Sequence, residues 1–291
     1  MPSPALVVTG ASGLVGRALA LVEPITPLPR GAGSGLRWDP VAGTVQDDAR
    51  PIGAVVHLAG EPVAEGRWTD ARKRVLLDSR VAGTRTLVDW LTGRAQRPEV
   101  LVSASGVGYY GDRGDELLDE GAGPGAGFLA EICQGWEREA LAAEAAGIRV
   151  VVLRIGVVLS KQGGALEKMK LPFSLGLGGP LGSGQQWFPW IHLDDLVGVI
   201  RAALRDTRMR GVYNAVAPGL VRQRDFARAY GAALGRPAVL PAPAFALKAA
   251  MGQMAEEALL SGQRARPAKL EALGYPYQHP EVGAALKQIV G

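Results

Sequence analysis

The chain has 291 residues, which is enough for one large α/β domain or for a nucleotide-binding domain with a smaller lobe. Its 32 Lys and Arg residues against 28 Asp and Glu leave a formal charge of +4, spread without long runs of like charge. This pattern argues against a nucleic-acid-binding arm or a polybasic membrane anchor, so no nucleic-acid partner is expected. Because Cys133 is the single cysteine, an internal disulfide and a cysteine metal cluster are excluded.

The start of the chain and its cysteine content bear on location. Pro4 leads directly into the apolar stretch Ala5–Val8, without a basic leader or a long apolar segment. The sequence therefore predicts neither a signal peptide nor a membrane span. A single cysteine suits a reducing compartment, so we expect a cytoplasmic protein. Cys133 itself is interpreted as a small apolar filler on a helix, with a reactive thiol as the alternative.

Short β-branched runs alternate with helical periodicity through the first half of the chain. Three prolines between residues 24 and 29 predict that the first helix is short, about two turns. The alternation predicts an α/β fold, a Rossmann-like doubly wound parallel sheet. The expected strands are Ala5–Val8, Ile25–Leu28, Ala54–Leu58, Val100–Ser103 and Arg149–Leu153, and the expected helices include Arg72–Leu91 and Phe128–Ala146.

The second half of the chain has a different texture. A glycine-rich stretch over 176–184 is followed by three large aromatic residues, which predicts a tightly packed loop and not a linker. Helical patterns then indicate a smaller C-terminal lobe over the carboxyl edge of the sheet; they cover Arg222–Leu234, Phe245–Leu260 and Pro280–Ile289. We expect a nucleotide-binding domain of residues 1–165, to which 190–216 return, and a substrate-cleft lobe of 166–189 and 217–291.

A glycine loop closes the first expected strand. Gly10 permits a tight turn, Gly13 lets the backbone approach a pyrophosphate, and Gly16 lets helix and strand pack closely. The phosphates of the ligand would rest on the helix N-terminus. The loop therefore predicts a dinucleotide site, with a merely tight turn as the alternative. The residues assigned to it are Gly10, Ala11, Ser12, Gly13, Leu14, Val15 and Gly16.

The residue beyond the second strand indicates which dinucleotide is bound. An NAD-preferring site has an acidic residue about twenty positions after the loop, whereas this chain has Arg30 nearby. A guanidinium suits the 2′-phosphate of NADP; the alternative is a solvated loop charge. Leu58, Ala59 and Gly60 place small residues at the edge where the cofactor is expected, and His57 before them is interpreted as packed and hydrogen-bonded, not as a base.

Two further pairs of polar residues are candidate sites. His192 and His279 are far apart in sequence and lack Cys or acidic partners at ligand spacing, so no metal site is expected. Asp194 and Asp195 are expected to cap a helix over Leu196–Leu204, with a catalytic carboxylate pair as the alternative.

These motifs together resemble one family, the atypical extended short-chain dehydrogenases, whose members are named sugar-nucleotide epimerases and sometimes cell-division inhibitors. The resemblance runs nearly end to end, through segments 58–62, 66–69, 78–84, 103–111, 178–192, 194–195 and 260–264. It implies NADP(H) binding by the glycine loop, Arg30, Leu58, Ala59 and Arg80, and we assign Gly156 to the same site. It also implies a C-terminal lobe of unknown function that shapes the substrate cleft. The chain departs from relatives in its short first βα unit and in Gln253, where they usually carry Glu.

The resemblance also indicates what chemistry to look for. Extended short-chain dehydrogenases use a serine after the fourth strand to polarise a carbonyl, and a Tyr four residues before a Lys as the acid or base. Ser105 fits the serine by resemblance and position. Phe128 and Ile132 stand where the Tyr and Lys are expected, so the standard pair is absent. Tyr109 and Tyr110 either replace the missing acid or line the cleft as aromatic walls.

The remaining polar and aromatic residues complete the hypothesis. Gln186, Trp187 and Trp190 are expected to line the substrate cleft, or else the tryptophans lock their loop to the core. Glu61 and Glu131 are minor candidates for a base, and Lys168 and Lys170 are minor candidates for an anionic substrate. The sequence thus predicts an NADP(H)-dependent oxidoreductase or epimerase acting on a small polar carbonyl or sugar-nucleotide-like substrate. The alternative is an NADP(H)-binding regulator or sensor; a homodimer is an option because related dehydrogenases are commonly dimers.

Overall fold

The computed structural model describes residues 4–31 and 33–291. The strands are β1 (Ala5–Thr9), β2 (Ile25–Pro27), β3 (Arg37–Asp39), β4 (Thr44–Gln46), β5 (Ile52–His57), β6 (Val100–Gly106), β7 (Leu117–Leu118), β8 (Arg149–Ile155), β9 (Val157–Leu159), β10 (Trp190–His192), β11 (Gly211–Ala215) and β12 (Arg264–Ala265). The helices are α1 (Leu14–Ala20), α2 (Asp70–Asp78), α3 (Val81–Gly93), α4 (Phe128–Leu141), α5 (Ala165–Ser174), α6 (Leu193–Arg205), α7 (Gln223–Ala233), α8 (Ala244–Met251), α9 (Gln253–Ala258), α10 (Ala268–Ala272) and α11 (Val282–Val290).

A six-stranded parallel sheet forms the centre of the molecule. Its strand order is β11-β8-β6-β5-β1-β2. Strand β2 lies on one side of β1, and β5, β6, β8 and β11 follow in chain order on the other side. The expected doubly wound, Rossmann-like sheet is confirmed. The order reverses between β1 and β5, and ligands bind such sheets at the carboxyl ends of the strands beside this point.

Both faces of the sheet are buried. In β8, Val151 and Leu153 belong to the core layer shared with α1 and α6, while Val150 and Val152 belong to the opposite layer shared with α3. A strand covered on both faces needs apolar residues at every position, which explains its continuous β-branched run.

Several expected helices end earlier than the periodicity indicates. The stretch from Arg72 to Leu91 is two helices that part at Ser79 and Arg80, where the Arg80 guanidinium donates back to the carbonyl of Leu76. The region 245–260 is divided at Gly252, whose φ of 61° no L residue adopts easily. By contrast, α1 has the expected two turns. The sequence-based prediction missed the sixth strand, β11, and the β3–β4 hairpin.

The C-terminal lobe has a core of its own and is tied to the sheet by polar contacts. Phe173, Phe226 and Leu286 pack α5, α7 and α11 together. Glu257 in α9 accepts the backbone N–H groups of Phe128 and Leu129, so a lobe residue caps the N-terminus of α4. Strand β12 also pairs with β7. The smaller lobe of the expected fold class is therefore present, whereas the proposed domain limits stay a prediction.

Gln253 orients the carboxylate that caps α4. Its side-chain amide donates to Oε1 of Glu257 at 2.7 Å and orients the capping carboxylate.

Among the described residues, no helix has the combined length and apolarity needed to cross a bilayer.

Arg149 gives the first test of this architecture. Arg149 is 7% exposed, and its guanidinium donates to the carbonyl of Ala203 in α6 at 2.8 Å and to that of Met209 in the following turn at 2.9 Å. Arg149→Met should lower the free energy of unfolding by about 2–3 kcal/mol, because buried carbonyls lose their donors. Urea denaturation measures this loss. Arg208→Met, which removes an exposed partner of Asp206, is the control and should leave stability unchanged.

Candidate active site at the carboxyl edge of the sheet

The glycine loop lies where β1, α1 and the end of β5 meet. Gly10 has φ +67°, and a Cβ there would lie 2.9 Å from the backbone nitrogen of Ala59. A Cβ on Gly16 would lie 2.5 Å from the carbonyl oxygen of Gly10. Both glycines therefore permit close backbone approaches. The N-cap of α1 is Gly13, and no side chain of the described residues caps it, so the first amides of the helix can receive an anion.

Buried hydrogen bonds hold the ends of β1 and β5 in this arrangement. The Thr9 hydroxyl accepts from the amides of Leu58 and Ala59 and donates to Nδ1 of His57 at 2.7 Å. Nε2 of His57 then donates to the Thr84 hydroxyl at 2.9 Å. Burial, followed by the charge of Arg80, lowers the pKa of His57 to about 3. The packed, hydrogen-bonded histidine expected from the sequence is confirmed.

Arg30 lies at the same edge in an ion pair. Its guanidinium contacts Glu61 at 3.1 Å, and the Arg30 side chain is 60% exposed. Arg72 contacts the second oxygen of Glu61 at 3.4 Å. The Arg30 hydrogen bond lowers the pKa of Glu61, and Arg72 adds to that effect against a smaller opposing contribution from burial. A carboxylate stabilised in this way is a poor base, so the geometry does not support that role for Glu61.

Arg80 packs against the loop that follows β5. Its guanidinium donates to the carbonyl of Glu61 at 2.9 Å and lies over the ring of Trp136 at 5.1 Å. A Cβ on Gly60 would lie 3.0 Å from the guanidinium carbon, so glycine lets the two groups meet. Burial lowers the pKa of Arg80. These contacts give Arg80 a role in positioning the loop; its contact with a cofactor stays a prediction.

A buried polar network lies beyond the end of β6. Ser105 donates to Oε1 of Glu137 at 2.8 Å, and Arg154 forms two 2.8 Å hydrogen bonds with the same carboxylate. The side chains of Arg154 and Glu137 are 4% and 5% exposed. Ser105 thus occupies the expected position at the strand end, and its proton is directed into the protein.

The two adjacent tyrosines have different environments. Tyr110 is fully buried; its hydroxyl accepts from Arg154 and donates to Oδ1 of Asn214 at 2.7 Å. Burial raises the pKa of Tyr110. These contacts argue against Tyr110 as a proton donor to a ligand. Tyr109 is half-buried, with the Arg154 guanidinium carbon 3.3 Å from its ring centroid. Its hydroxyl has no hydrogen bond within the described part of the chain.

The helix face toward this network differs from the one expected. Phe128 and Ile132 pack into an apolar cluster with Trp68. Leu129 and Cys133, also four residues apart, face the strand end instead: a Cβ on Gly108 would lie 3.0 Å from Cβ of Leu129, and one on Gly106 would lie 3.7 Å from Sγ of Cys133. The sequence-based placement was therefore wrong by one residue, since periodicity alone does not fix the rotation of a helix.

The absence of a Tyr–Lys pair nevertheless stands, because Leu129 and Cys133 supply neither group. Burial raises the pKa of Cys133 to about 11, and Glu137 adds to the shift. The thiol is thus an inert filler, as expected.

The aromatic loop after α5 divides between cleft and core. Trp190 is 1% exposed and donates to the carbonyl of Gly219, so its assignment to the substrate was wrong: the side chain is in the core of the lobe. Trp187 is half-buried between the guanidinium groups of Arg222 and Arg264, at 4.0 and 4.9 Å from its ring centroid. The tryptophan that can meet a ligand is therefore Trp187.

Neighbouring candidates serve mainly to hold loops. The Gln186 side chain donates to the carbonyls of Leu181 and Leu259. A Cβ on Gly156 would lie 2.8 Å from the carbonyl oxygen of Pro189, so Gly156 lets this loop pack against β8. Lys168 donates to the carbonyl of Ala64, whereas Lys170 and Glu131 are exposed.

The acidic pair after β10 behaves differently from the prediction. The ring of His192 caps α6 by accepting the amide of Asp194, so neither Asp is the cap. Asp195 is buried and accepts the amides of Gln278 and His279. As a result His192, Asp194 and His279 come together, contrary to the expectation that the histidines have no acidic partner.

Comparison with known proteins agrees with this geometry. A profile of the NAD dependent epimerase/dehydratase family matches residues 39–215, and a domain of unknown function, DUF1731, matches residues 242–289. The chain belongs to the NAD dependent epimerase/dehydratase family. The resemblance to atypical extended short-chain dehydrogenases is thereby confirmed.

Individual members of the epimerase/dehydratase family match almost end to end. The human epimerase family protein SDR39U1 is 39% identical over 98% of this chain and 99% of its own length. An epimerase family protein of Mycobacterium tuberculosis is 39% identical over 98% of this chain and 97% of its own. A crystal structure of human SDR39U1 with NADPH superposes with a TM-score of 0.87, at 37% identity, covering 98% of this chain and 99% of that one.

The buried His57 predicts a pH dependence of stability. Its pKa of about 3 in the folded protein lies below the unfolded value near 6.5, so the unfolded chain binds the extra proton as the pH falls. Unfolding free energy should therefore fall by about 1.4 kcal/mol between pH 7.5 and 5.5 from His57 alone. His192, whose pKa is lowered by burial and by His279, adds to this loss.

Urea denaturation across that pH range measures the effect, and NMR of the imidazole signals assigns it. The His57 ring should stay neutral in the folded protein throughout. A flat stability profile, or a His57 signal that titrates in this range, would contradict the prediction.

Proposed function

We propose that this chain binds NADP(H) and acts as an oxidoreductase or epimerase of the extended short-chain dehydrogenase type on a small polar substrate, a carbonyl compound or a sugar-nucleotide-like molecule. The observation that carries the proposal is the glycine loop: its backbone packs against the end of β5, beside the point of strand reversal, and the start of α1 is available to an anion. The NADPH in the human relative's crystal structure supports this choice of cofactor.

The residues present suit a dinucleotide with an extra phosphate. Gly10–Gly16 would hold the pyrophosphate, Leu58 and Ala59 would flank it, and Arg30 would exchange Glu61 for the 2′-phosphate. The bound cofactor supplies hydride transfer at its nicotinamide ring. The protein must then place a substrate and manage a proton.

Tyr109 is the group we assign to that proton. Unlike Tyr110, it keeps a hydroxyl that the described residues do not engage. Its ring stacks on the guanidinium of Arg154, a cation that comes from β8, whereas the lysine of the standard pair comes from the helix. Ser105 lies four residues before Tyr109 and donates to Glu137, so its hydroxyl would reach a substrate carbonyl only by giving up its hydrogen bond to that carboxylate. Trp187 would form an aromatic wall of the cleft.

A second function, an NADP(H)-binding sensor without turnover, has one observation in its favour. Leu129 and Cys133 occupy the helix positions that face the end of β6, and neither is the Tyr or the Lys of the standard pair. As a further part of the proposal, the protein is cytoplasmic, in keeping with its single cysteine, and a homodimer is one option for its assembly.

Substitution of Arg30 tests the choice of cofactor. Arg30→Ala should raise the Kd for NADPH at least tenfold and leave the Kd for NADH unchanged, because only NADPH has the 2′-phosphate. Titration calorimetry with both nucleotides measures the two constants. Glu61→Gln, which frees Arg30, should not weaken NADPH binding. Arg97→Ala is the matched control, because Arg97 lies just before β6, at the amino ends of the strands and away from the expected cofactor site. Equal losses for both nucleotides would exclude a 2′-phosphate contact.

Turnover separates the enzyme from the sensor. The protein is screened with NADPH and NADP⁺ against carbonyl compounds and sugar nucleotides, and any activity is re-measured in Tyr109→Phe and Ser105→Ala. Loss of a catalytic proton donor typically costs about a hundredfold or more in kcat, so Tyr109→Phe should do so. Tyr110→Phe should act mainly on stability. Tight NADPH binding with no turnover across the screen would favour the sensor, and activity that survives both substitutions would overturn the assigned residues.

A further inference from the structure

A second cluster of chemically active side chains lies at the start of α6. The side chains of His192 and His279 are 5% and 17% exposed, and their ring centroids are 3.9 Å apart. One carboxylate oxygen of Asp194 lies 3.6 Å from Nδ1 of His192 and 3.9 Å from Nε2 of His279. The three residues offer ligand atoms that all lie within 4.8 Å of one another.

We propose that His192, Asp194 and His279 form a binding site for a divalent transition-metal ion of the zinc type. In a tetrahedral site with bonds of about 2.0–2.1 Å, neighbouring ligand atoms are roughly 3.4 Å apart. The two carboxylate distances exceed this by half an ångström or less. The two imidazole rings must also rotate away from each other. They are stacked with an angle of 39° between their planes, whereas the lone pairs of two metal ligands must point at one ion.

Neighbouring groups already orient the ligands. Nδ1 of His192 accepts the amide of Asp194, so its proton is on Nε2, which donates to Oε1 of Gln288 in α11 at 3.1 Å. The lone pair of Nδ1 receives that amide, so a metal ion would take the place of this hydrogen bond. Asp195 accepts the amides of Gln278 and His279 and fixes the segment that carries the second ring. Outer hydrogen bonds of this kind hold histidine ligands in protein metal sites.

The electrostatics have opposing contributions. The N-terminus of α6 carries the positive end of the helix dipole, and binding would replace the 3.1 Å bond from the Asp194 amide to His192. The carboxylates of Asp194 and Asp195 in the first turn offset that charge.

The donor set and its position indicate the kind of metal and its effect. Two imidazoles and one carboxylate favour Zn²⁺, Co²⁺ or Ni²⁺ over Mg²⁺ and Ca²⁺, which prefer oxygen ligands. Asp194 is 56% exposed, which leaves room for water as a further ligand. Because His192 ends β10 and His279 precedes α11, the ion would clamp the C-terminal lobe to α6. This role is independent of the dinucleotide site.

The test uses full-length protein without a histidine tag, freed of metal by a chelator. Titration with Co²⁺ is followed by visible absorption, which reports tetrahedral coordination, and Zn²⁺ is titrated by calorimetry. We expect one ion per chain, and at least tenfold weaker binding in His279→Gln and in Asp194→Asn. Asp225→Asn changes a first-turn aspartate of α7 that has no histidine neighbour and should bind like the wild type.

His192 is left unchanged because it caps α6, and far-UV circular dichroism with urea denaturation confirms that each variant is folded. Metal should also raise the urea midpoint of the wild type by more than that of the folded variants, since an ion that binds only the native state stabilises it in proportion to its affinity. No stoichiometric binding, or binding that survives both His279→Gln and Asp194→Asn, would overturn the proposal.

Discussion

The ion pair between Glu137 and Arg154 is the interaction on which the rest of the site depends. Two charges taken out of water cost several kcal/mol each unless they are paired and hydrogen-bonded. Burial would lower the pKa of Arg154, but the hydrogen bonds and charge of Glu137 raise it above its ordinary value. Ser105 and Tyr110 complete the polar contacts of the pair. The end of β6, the turn after it, α4 and β8 are therefore held in one arrangement.

This constraint explains how the chain retains a family fold without the family's usual proton-transfer pair. The helix α4 is fixed with Leu129 and Cys133 toward the end of β6, and Arg154 of β8 stacks on the half-buried ring of Tyr109 in the turn after β6. The C-terminal lobe contributes as well, because Glu257 caps α4 from outside the sheet. The site is thus assembled from both parts of the chain.

The fold could be predicted where its causes are local. A buried parallel strand needs a continuous apolar run, so β1, β5, β6 and β8 can be identified from the sequence. Prolines after the glycine loop correctly limited α1 to two turns. The division at Arg80 was not predictable, because its side chain finds the carbonyls of Leu76 and Glu61 only after the helix and the loop have met.

The sequence by itself determined the glycine loop, since the spacing of Gly10, Gly13 and Gly16 is a local requirement of backbone approach. It also established that no Tyr–Lys pair is present. Only the tertiary structure decided that Trp190 is in the core and that His192 meets His279. Those outcomes depend on contacts between segments far apart in the chain, and neither residue type nor spacing encodes which distant surface a side chain will reach.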